Sequence, residues 1–196
     1  MKVGFIGLGN VGAKLSGSLL RNGVDLTIRD LDKSLAEPFL AMGAKWADSP
    51  KEMMEACDAV ITCLPSPAAS AAVLEADDGL IAGMSDGKIW MEMSTTDEAE
   101  VKRLAPKVLA AGGAPVDCPV SGGCHRADTG NISIFAGCDR ATFERILPLL
   151  TKMGRRVLHT GYLGSASVLK VVTNFLATAN LITCAEALVT CKAAGM

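Results

Sequence analysis

The chain has 196 residues, a formal net charge of −2 and an aromatic content of only 4%. This charge balance and the absence of a basic run exclude a typical nucleic-acid-binding protein, and few aromatic rings are present to stack on bases. Hydrophobic residues make up 49% of the chain, so a substantial core can form. The length fits one large domain, or one domain with a piece of a second.

Cysteine usage points to a reducing compartment. The seven cysteines include no CxxC pair, which is typical of reduced thiols in a cytoplasmic protein. His125 and His159 lack metal-ligand spacing, so no metal site is predicted. The N-terminus enters an apolar run directly, without the charged segment of a signal peptide. We expect no membrane-spanning stretch.

The first dozen residues carry the strongest motif. An apolar run, Val3–Ile6, leads into a glycine-rich turn and then into helical spacing. Strand, GxGxxG and helix in this order predict a dinucleotide-binding turn, with the phosphates on the helix N-terminus. A glycine turn without a ligand is the alternative. The predicted cofactor-binding residues of this turn are Gly7, Leu8, Gly9, Asn10, Val11 and Gly12.

A second strand, predicted over 24–28, leads to Asp30, which stands 18 positions after Gly12. This is close to the spacing at which a carboxylate binds the adenosine ribose hydroxyls and repels a 2′-phosphate, so NAD is favoured over NADP. Arg29 could instead hold a 2′-phosphate, although strand alternation points it away from Asp30. Asp30 could also cap the helix that follows.

Strands and helices alternate along the rest of the chain. Further strands are predicted over 44–47, 58–65, 88–96, 112–120, 131–137 and 155–159, and helices over 33–42, 67–75, 97–111 and 139–153, with one more opening at Ser49. This alternation predicts an α/β fold, a doubly wound Rossmann-type, mostly parallel sheet. From residue 165 the apolar spacing predicts one long C-terminal helix.

Several strand ends carry candidate site residues, because ligands bind beyond the carboxyl ends of parallel strands. Leu64 and Pro65 end one strand. Thr95 ends another, where the hydroxyls could face the nicotinamide or cap the next helix. A second glycine turn could hold a carboxylate or be an ordinary loop. It consists of Ser121, Gly122 and Gly123.

Lys170 and Asn174 are four residues apart and therefore share one face of the long helix. A desolvated lysine has a lowered pKa and can act as general acid or base near neutral pH. A surface lysine beside a polar residue is the alternative.

Four motifs in order resemble the 3-hydroxyisobutyrate dehydrogenase-like β-hydroxyacid dehydrogenases. They are the Gly7–Gly12 turn, Ser94-Thr95, the run Asp117–Gly123 and the Lys170–Asn174 helix. The resemblance implies Lys170 as catalytic acid/base and Asn174 as a substrate contact. It further implies that Ser121, Gly122 and Gly123 hold the substrate carboxylate, and that Thr95, Leu64 and Pro65 line the cofactor.

Members of this family continue into a helical second domain, so we expect residues 1–163 to form the dinucleotide-binding domain and 164–196 to begin a truncated helical one. The predicted function is hydride transfer between NAD and a small β-hydroxy acid, with a 3-hydroxyisobutyrate-like or tartronate-semialdehyde-like substrate. An NAD-binding fragment or interaction module without turnover is the alternative. We expect a homo-oligomer formed through the long helix.

Overall fold

The computed structural model describes all 196 residues. The strands are Val3–Ile6 (β1), Leu26–Arg29 (β2), Lys45–Trp46 (β3), Ala59–Thr62 (β4), Ile89–Glu92 (β5), Ala114–Asp117 (β6), Val120–Ser121 (β7), Ile132–Gly137 (β8) and Gly154–Gly161 (β9). The α-helices are Asn10–Arg21 (α1), Glu37–Ala41 (α2), Pro50–Ala56 (α3), Pro67–Glu75 (α4), Glu98–Ala110 (α5), Cys124–Asp128 (α6), Arg140–Leu150 (α7) and Ser165–Ala193 (α8). Short 3-10 helices cover Lys33–Ala36 and Ile81–Gly83.

The sheet has the predicted doubly wound topology. Its first six strands are parallel and lie in the order β3-β2-β1-β4-β5-β6. The chain therefore reverses its direction of winding between β1 and β4, which opens a crevice at the carboxyl ends of these two strands. At the far edge, β8 pairs antiparallel with β6 and β7 and parallel with β9.

Two hydrophobic clusters fill the two faces of the sheet. The larger has 28 buried residues and includes Phe5 from β1 and Leu15 from α1. The smaller has 11 and includes Ile6 from β1 and Trp90 from β5. Adjacent residues of β1 thus enter opposite clusters, as the pleat of a strand covered on both sides requires.

Two predicted elements are divided in the structure. The strand expected over 112–120 ends at Asp117, and Val120 and Ser121 form the separate strand β7. Pro119, which has no N–H to donate, lies at this break. The helix expected over 33–42 is a 3-10 turn followed by the short α2, with Pro38 in the first turn of α2. The short helix α6 was not predicted.

Helix α8 runs for 29 residues, about 40 Å at the usual rise. Its first turns pack against β6, β8, β9 and α5, whereas most of its length is exposed. The mean hydropathy of α8 over an 18-residue window is 1.5. By length and composition alone, this helix is long and apolar enough to cross a membrane. The expectation that no stretch has these properties was therefore wrong, because α8 carries no charged residue between Lys170 and Glu186.

Candidate functional site

The glycine turn after β1 is constrained at two positions and open at a third. Gly7 has φ of +103°, and a Cβ there would overlap the carbonyl oxygen of Cys63. A Cβ on Gly12 would overlap the carbonyl oxygen of Gly7, so α1 packs directly on the turn. A Cβ on Gly9 would meet nothing within 4 Å. The open space therefore lies above Gly9, where a ligand can approach the backbone.

Helix α1 begins without a capping side chain. Its N-cap is Gly9, and its first turn holds no acidic residue. By contrast, the N-termini of α3, α4, α5 and α7 are each capped by a serine or aspartate side chain. The first N–H groups of a helix have no intrahelical acceptor, and the helix dipole favours an anion beside them. The uncapped end of α1 therefore fits a pyrophosphate.

Asp30 follows β2 and faces the glycine turn. Its Oδ2 accepts a hydrogen bond of 2.6 Å from Leu8 N, and its Oδ1 accepts one of 3.0 Å from Asp32 N. The alternative in which Asp30 caps the next helix is wrong, because Asp32 accepts from Ser34 N and caps it instead. Asp30 therefore presents its carboxylate at the crevice.

Arg29, at the end of β2, is held by the backbone that follows β3. Its guanidinium donates to the carbonyl oxygens of Ala47 and Asp48 at 3.1 and 2.5 Å. It also lies 6.0 Å from the ring centroid of Trp46. These contacts hold the guanidinium on the backbone after β3, although Arg29 lines the same crevice as Asp30.

The ends of β4 and β5 are tied together by side chains. Leu64 N donates to Ser94 Oγ at 2.7 Å, and Ser94 N donates to Glu92 Oε1 at 2.8 Å. Glu92 is fully buried, its Oε2 has no hydrogen-bond partner, and burial raises its pKa. These bonds fix the backbone of Leu64 and of Thr95, the residue after Ser94, at the crevice.

The hydroxyls after β5 do not cap α5. That position is taken by Asp97, whose Oδ1 accepts from Glu100 N at 2.7 Å. Thr95 instead lines the crevice, while Thr96 is buried. The capping alternative is therefore wrong, and Thr95 remains free to face a ligand.

The second glycine turn lies between β7 and α6. Ser121 belongs to β7 and is half-buried, as is Gly122. Gly122 and Gly123 have φ of +133° and +83°, values that L side chains rarely adopt. Gly123 lines the same crevice as the first glycine turn.

Lys170 is the buried charged residue of α8. Its side chain is only 9% exposed, and its Nζ donates to Asn174 Oδ1 at 2.9 Å. No carboxylate forms a salt bridge with this amine. Burial lowers the pKa of Lys170, because the charged ammonium is less well solvated there than in water.

One cavity of about 830 Å³ joins most of these residues. The predicted site residues that line it are Gly7, Gly9, Asn10, Val11, Gly12, Asp30, Leu64, Pro65, Thr95, Gly123 and Lys170. Leu8, Ser121, Gly122 and Asn174 are not in its lining but adjoin residues that are. Apolar side chains, among them Leu31, Leu35 and Val73, line the rest of one wall. Nowhere do three or more His, Cys, Asp or Glu side chains gather as metal ligands.

The buried carboxylates of Glu92 and Asp117 were not among the predicted site residues. They are paired in register at the carboxyl ends of the neighbouring strands β5 and β6. Burial raises the pKa of Asp117, while hydrogen bonds from Gly164 and Ser167 oppose that shift. Each acid ends an otherwise apolar strand, and this was the signal available in the sequence.

Comparison with known proteins agrees with this geometry. Residues 2–161 match the family model described as the NAD binding domain of 6-phosphogluconate dehydrogenase. Over 96% of its length the chain is 32% identical to 2-(hydroxymethyl)glutarate dehydrogenase of Eubacterium barkeri, and over 95% it is 34% identical to the mitochondrial 3-hydroxyisobutyrate dehydrogenase of Rattus norvegicus. It spans 63% and 56% of these two relatives.

A solved structure gives the same result for the fold. The 3-hydroxyisobutyrate dehydrogenase of Mycobacterium tuberculosis, determined with L-serine, superposes with a TM-score of 0.92 at 27% identity. The alignment covers 99% of this chain and 66% of that one.

The sheet order, the glycine turn and the uncapped α1 define a dinucleotide-binding Rossmann domain. More narrowly, the chain belongs to the family of the NAD-binding domain of 6-phosphogluconate dehydrogenase, among the 3-hydroxyisobutyrate dehydrogenase-like β-hydroxyacid dehydrogenases.

Proposed function

We propose that this protein is an oxidoreductase that transfers hydride between NAD and a small β-hydroxy acid, with Lys170 as general acid/base. The observation that carries the proposal is that the Lys170 amine and the uncapped N-terminus of α1 open into one cavity. A dinucleotide site alone would need only the uncapped N-terminus of α1. A buried amine in the same space supplies a group that can move a proton.

The glycine turn and the strand ends hold the cofactor in this proposal. The N–H groups of the first turn of α1 bind the pyrophosphate, and Asp30 accepts hydrogen bonds from the adenosine ribose. Leu64, Pro65 and Thr95 line the nicotinamide end. When bound, the nicotinamide accepts or gives the hydride. NAD is favoured over NADP because Asp30 repels a 2′-phosphate and Arg29 is bound to the backbone carbonyls of Ala47 and Asp48.

The second glycine turn and α8 hold the substrate. Ser121, Gly122 and Gly123 bind its carboxylate through the hydroxyl and backbone N–H groups. In the oxidation direction, the substrate hydroxyl gives its proton to the neutral amine of Lys170, and in reduction the ammonium returns it. Asn174 accepts a hydrogen bond from Lys170. In this proposal, Asn174 also forms a hydrogen bond with the substrate. Burial lowers the pKa of Lys170, which shifts the amine toward the neutral form that can accept a proton.

Replacing Lys170 tests this assignment. Lys170→Ala is expected to bind NADH as the wild type does, because the amine lies outside the glycine turn. Its turnover of β-hydroxy acids is expected to fall by about 10² to 10⁴, the usual contribution of a general acid/base. NADH fluorescence gives the affinity, and NADH absorbance gives turnover on a panel of β-hydroxy acids.

Lys192→Ala is the matched control, because Lys192 lies in the last turn of the same helix and is exposed. It is expected to behave as the wild type. Full turnover in Lys170→Ala would refute the acid/base role. Loss of NADH binding in Lys170→Ala without unfolding would instead show that the residue serves the cofactor.

We also propose that the exposed length of α8 mediates homo-oligomerisation. Phe175, Ile182 and Val189 are each more than half exposed and lie seven residues apart, so they share one face of the helix. Exposed apolar surface on this scale marks a protein-binding face. A second copy of the chain offers the same face and can cover it in an antiparallel pair of helices.

A further inference from the structure

The N-terminus of α8 is capped by a residue from a distant strand. Its own N-cap, Gly164, has φ of +93° and no side chain to offer. Asp117, the last residue of β6, reaches it instead. Asp117 Oδ1 accepts from Gly164 N at 2.7 Å, and Oδ2 accepts from Ser167 N at 2.8 Å and from Ser167 Oγ at 3.1 Å.

This anchor is buried and tightly enclosed. Asp117 has no exposed surface, and Ser167 is 1% exposed. Gly137, which pairs with Asp117 across β6 and β8, makes room for the carboxylate, because a Cβ at Gly137 would overlap Oδ1. Both carboxylate oxygens are therefore held against the start of α8 by the surrounding sheet.

The anchor lies one turn before the buried lysine. Lys170 follows Ser167 by three residues, so the two side chains lie on neighbouring turns of the same helix face. Two bonded points, at Gly164 and Ser167, fix both the position of α8 along its axis and its rotation about that axis. β6 in turn lies beside β5, whose end carries Thr95 into the cavity.

We propose that Asp117 is a positioning residue that holds the Lys170 amine at its place in the cavity by anchoring the first turn of α8 to the carboxyl end of β6. The proposal rests on the proposed function for its consequence in turnover. Its geometric part, the placement of Lys170, is independent of turnover. An ordinary N-cap would stabilise the helix without fixing this amine relative to the sheet.

Asp117→Asn tests the proposal, with Asp139→Asn as the matched control. Asp139 caps α7 in the same manner, since its oxygens accept from Thr142 N at 2.9 Å and from Thr142 Oγ1 at 2.6 Å. Both variants lose a carboxylate cap and are expected to lower the thermal midpoint of unfolding. Only the Asp117 variant is expected to affect Lys170.

The deciding measurement is the titration of the Lys170 amine, followed by NMR of lysine labelled with carbon-13 at Cε in the 196-residue protein. In Asp117→Asn this titration is expected to move toward that of the other lysines, because α8 shifts and the amine gains water. Turnover is expected to fall about tenfold or more, equivalent to 1.4 kcal/mol, with NADH affinity changed less than about twofold. Asp139→Asn is expected to leave the Lys170 titration, the turnover and the NADH affinity unchanged.

Ser167→Ala is the second variant, for use if Asp117→Asn does not fold. It removes one of the three bonds and keeps both backbone bonds, so a smaller shift in the same direction is expected. An unchanged Lys170 titration in a folded Asp117→Asn protein would overturn the proposal. If Asp117→Asn does not fold, an unchanged titration in Ser167→Ala would overturn it. If the titration moves but Lys170→Ala retains full turnover, the anchor stands and the proposed function fails.

Discussion

The backbone N–H of Leu8 donates a hydrogen bond of 2.6 Å to Asp30 Oδ2, which ties the glycine turn after β1 to the end of β2. Asp30 thereby has two tasks, since it orders the turn and presents its carboxylate at the crevice. A ribose bound there would meet an acceptor that is already fixed. The same negative charge would lie close to a 2′-phosphate.

Asp30→Ala is expected to weaken NAD binding and to reduce the preference for NAD over NADP. Losing hydrogen bonds to a charged acceptor costs about 1.5–3 kcal/mol, or roughly 10- to 100-fold in NAD affinity. Titration of both cofactors by fluorescence measures the change. Asp32→Ala is the control, since it removes a nearby carboxylate that caps only a 3-10 turn. Equal affinity of the wild type for NAD and NADP would refute the role of Asp30.

Two glycines of the first turn are expected to respond differently to the same added methyl group. Gly9→Ala meets no atom within 4 Å, so the thermal midpoint should be retained while the methyl group obstructs the pyrophosphate and weakens NADH binding. Gly12→Ala would overlap the carbonyl of Gly7 and should destabilise the fold by about 1–3 kcal/mol, as overpacking does. Thermal unfolding and NADH titration on both variants check this, and a stable Gly12→Ala with normal affinity would contradict it.

Glu92→Gln is expected to be more stable than the wild type at neutral pH. Burial raises the pKa of Glu92, so the folded protein retains a proton that the unfolded chain releases. The wild type therefore loses stability as the pH rises above the ordinary carboxyl pKa, until the raised pKa of the folded state is passed. Glutamine has no proton to release and is free of this loss.

Urea denaturation over a pH series measures the effect of Glu92→Gln. The difference from the wild type should be small at about pH 4 and should grow toward about pH 7, above the ordinary carboxyl pKa. Glu55→Gln is the control, since Glu55 is an exposed carboxylate near Lys51. A difference that is constant across the series would show that Glu92 has the same pKa in the folded and unfolded chains.

Asn174→Ala is expected to reduce turnover more than it reduces substrate affinity. Asn174 Oδ1 accepts from Lys170 Nζ, so its loss leaves the amine free to rotate within the cavity. A typical hydrogen bond contributes about 1 kcal/mol, which corresponds to roughly a fivefold effect on kcat. Steady-state kinetics separate kcat from KM. Asn180→Ala, on the exposed part of the same helix, should behave as the wild type, and an equal effect of both changes would argue against a role for Asn174.

Charges on the exposed face of α8 are expected to dissociate oligomers. Phe175→Glu combined with Ile182→Glu places two carboxylates seven residues apart on the proposed interface, and desolvating them there is unfavourable. Multi-angle light scattering over a range of concentrations gives the molar mass. Lys192→Glu changes the net charge by the same amount at the end of the helix and should leave the mass unchanged. A wild type that is monomeric at all concentrations would exclude this interface.

The sequence by itself determined the features that depend on neighbouring residues. The glycine turn needs only β1 before it and α1 after it, and the alternation of strands and helices follows from local hydrophobic periods. The spacing of Lys170 and Asn174 by one helical turn placed both on one face, as predicted, whereas the hydrogen bond between them was found in the structure.

Only the tertiary structure decided the contacts between distant segments. The bonds from Asp117 to Gly164 and Ser167 and from Leu64 to Ser94 join residues between 30 and 50 positions apart. The antiparallel pairing of β8 likewise depends on where the chain turns after Pro119. Local patterns carry no information about such pairs, because they form only when the completed sheet brings the carboxyl ends of its strands to one edge and buries what lies between them.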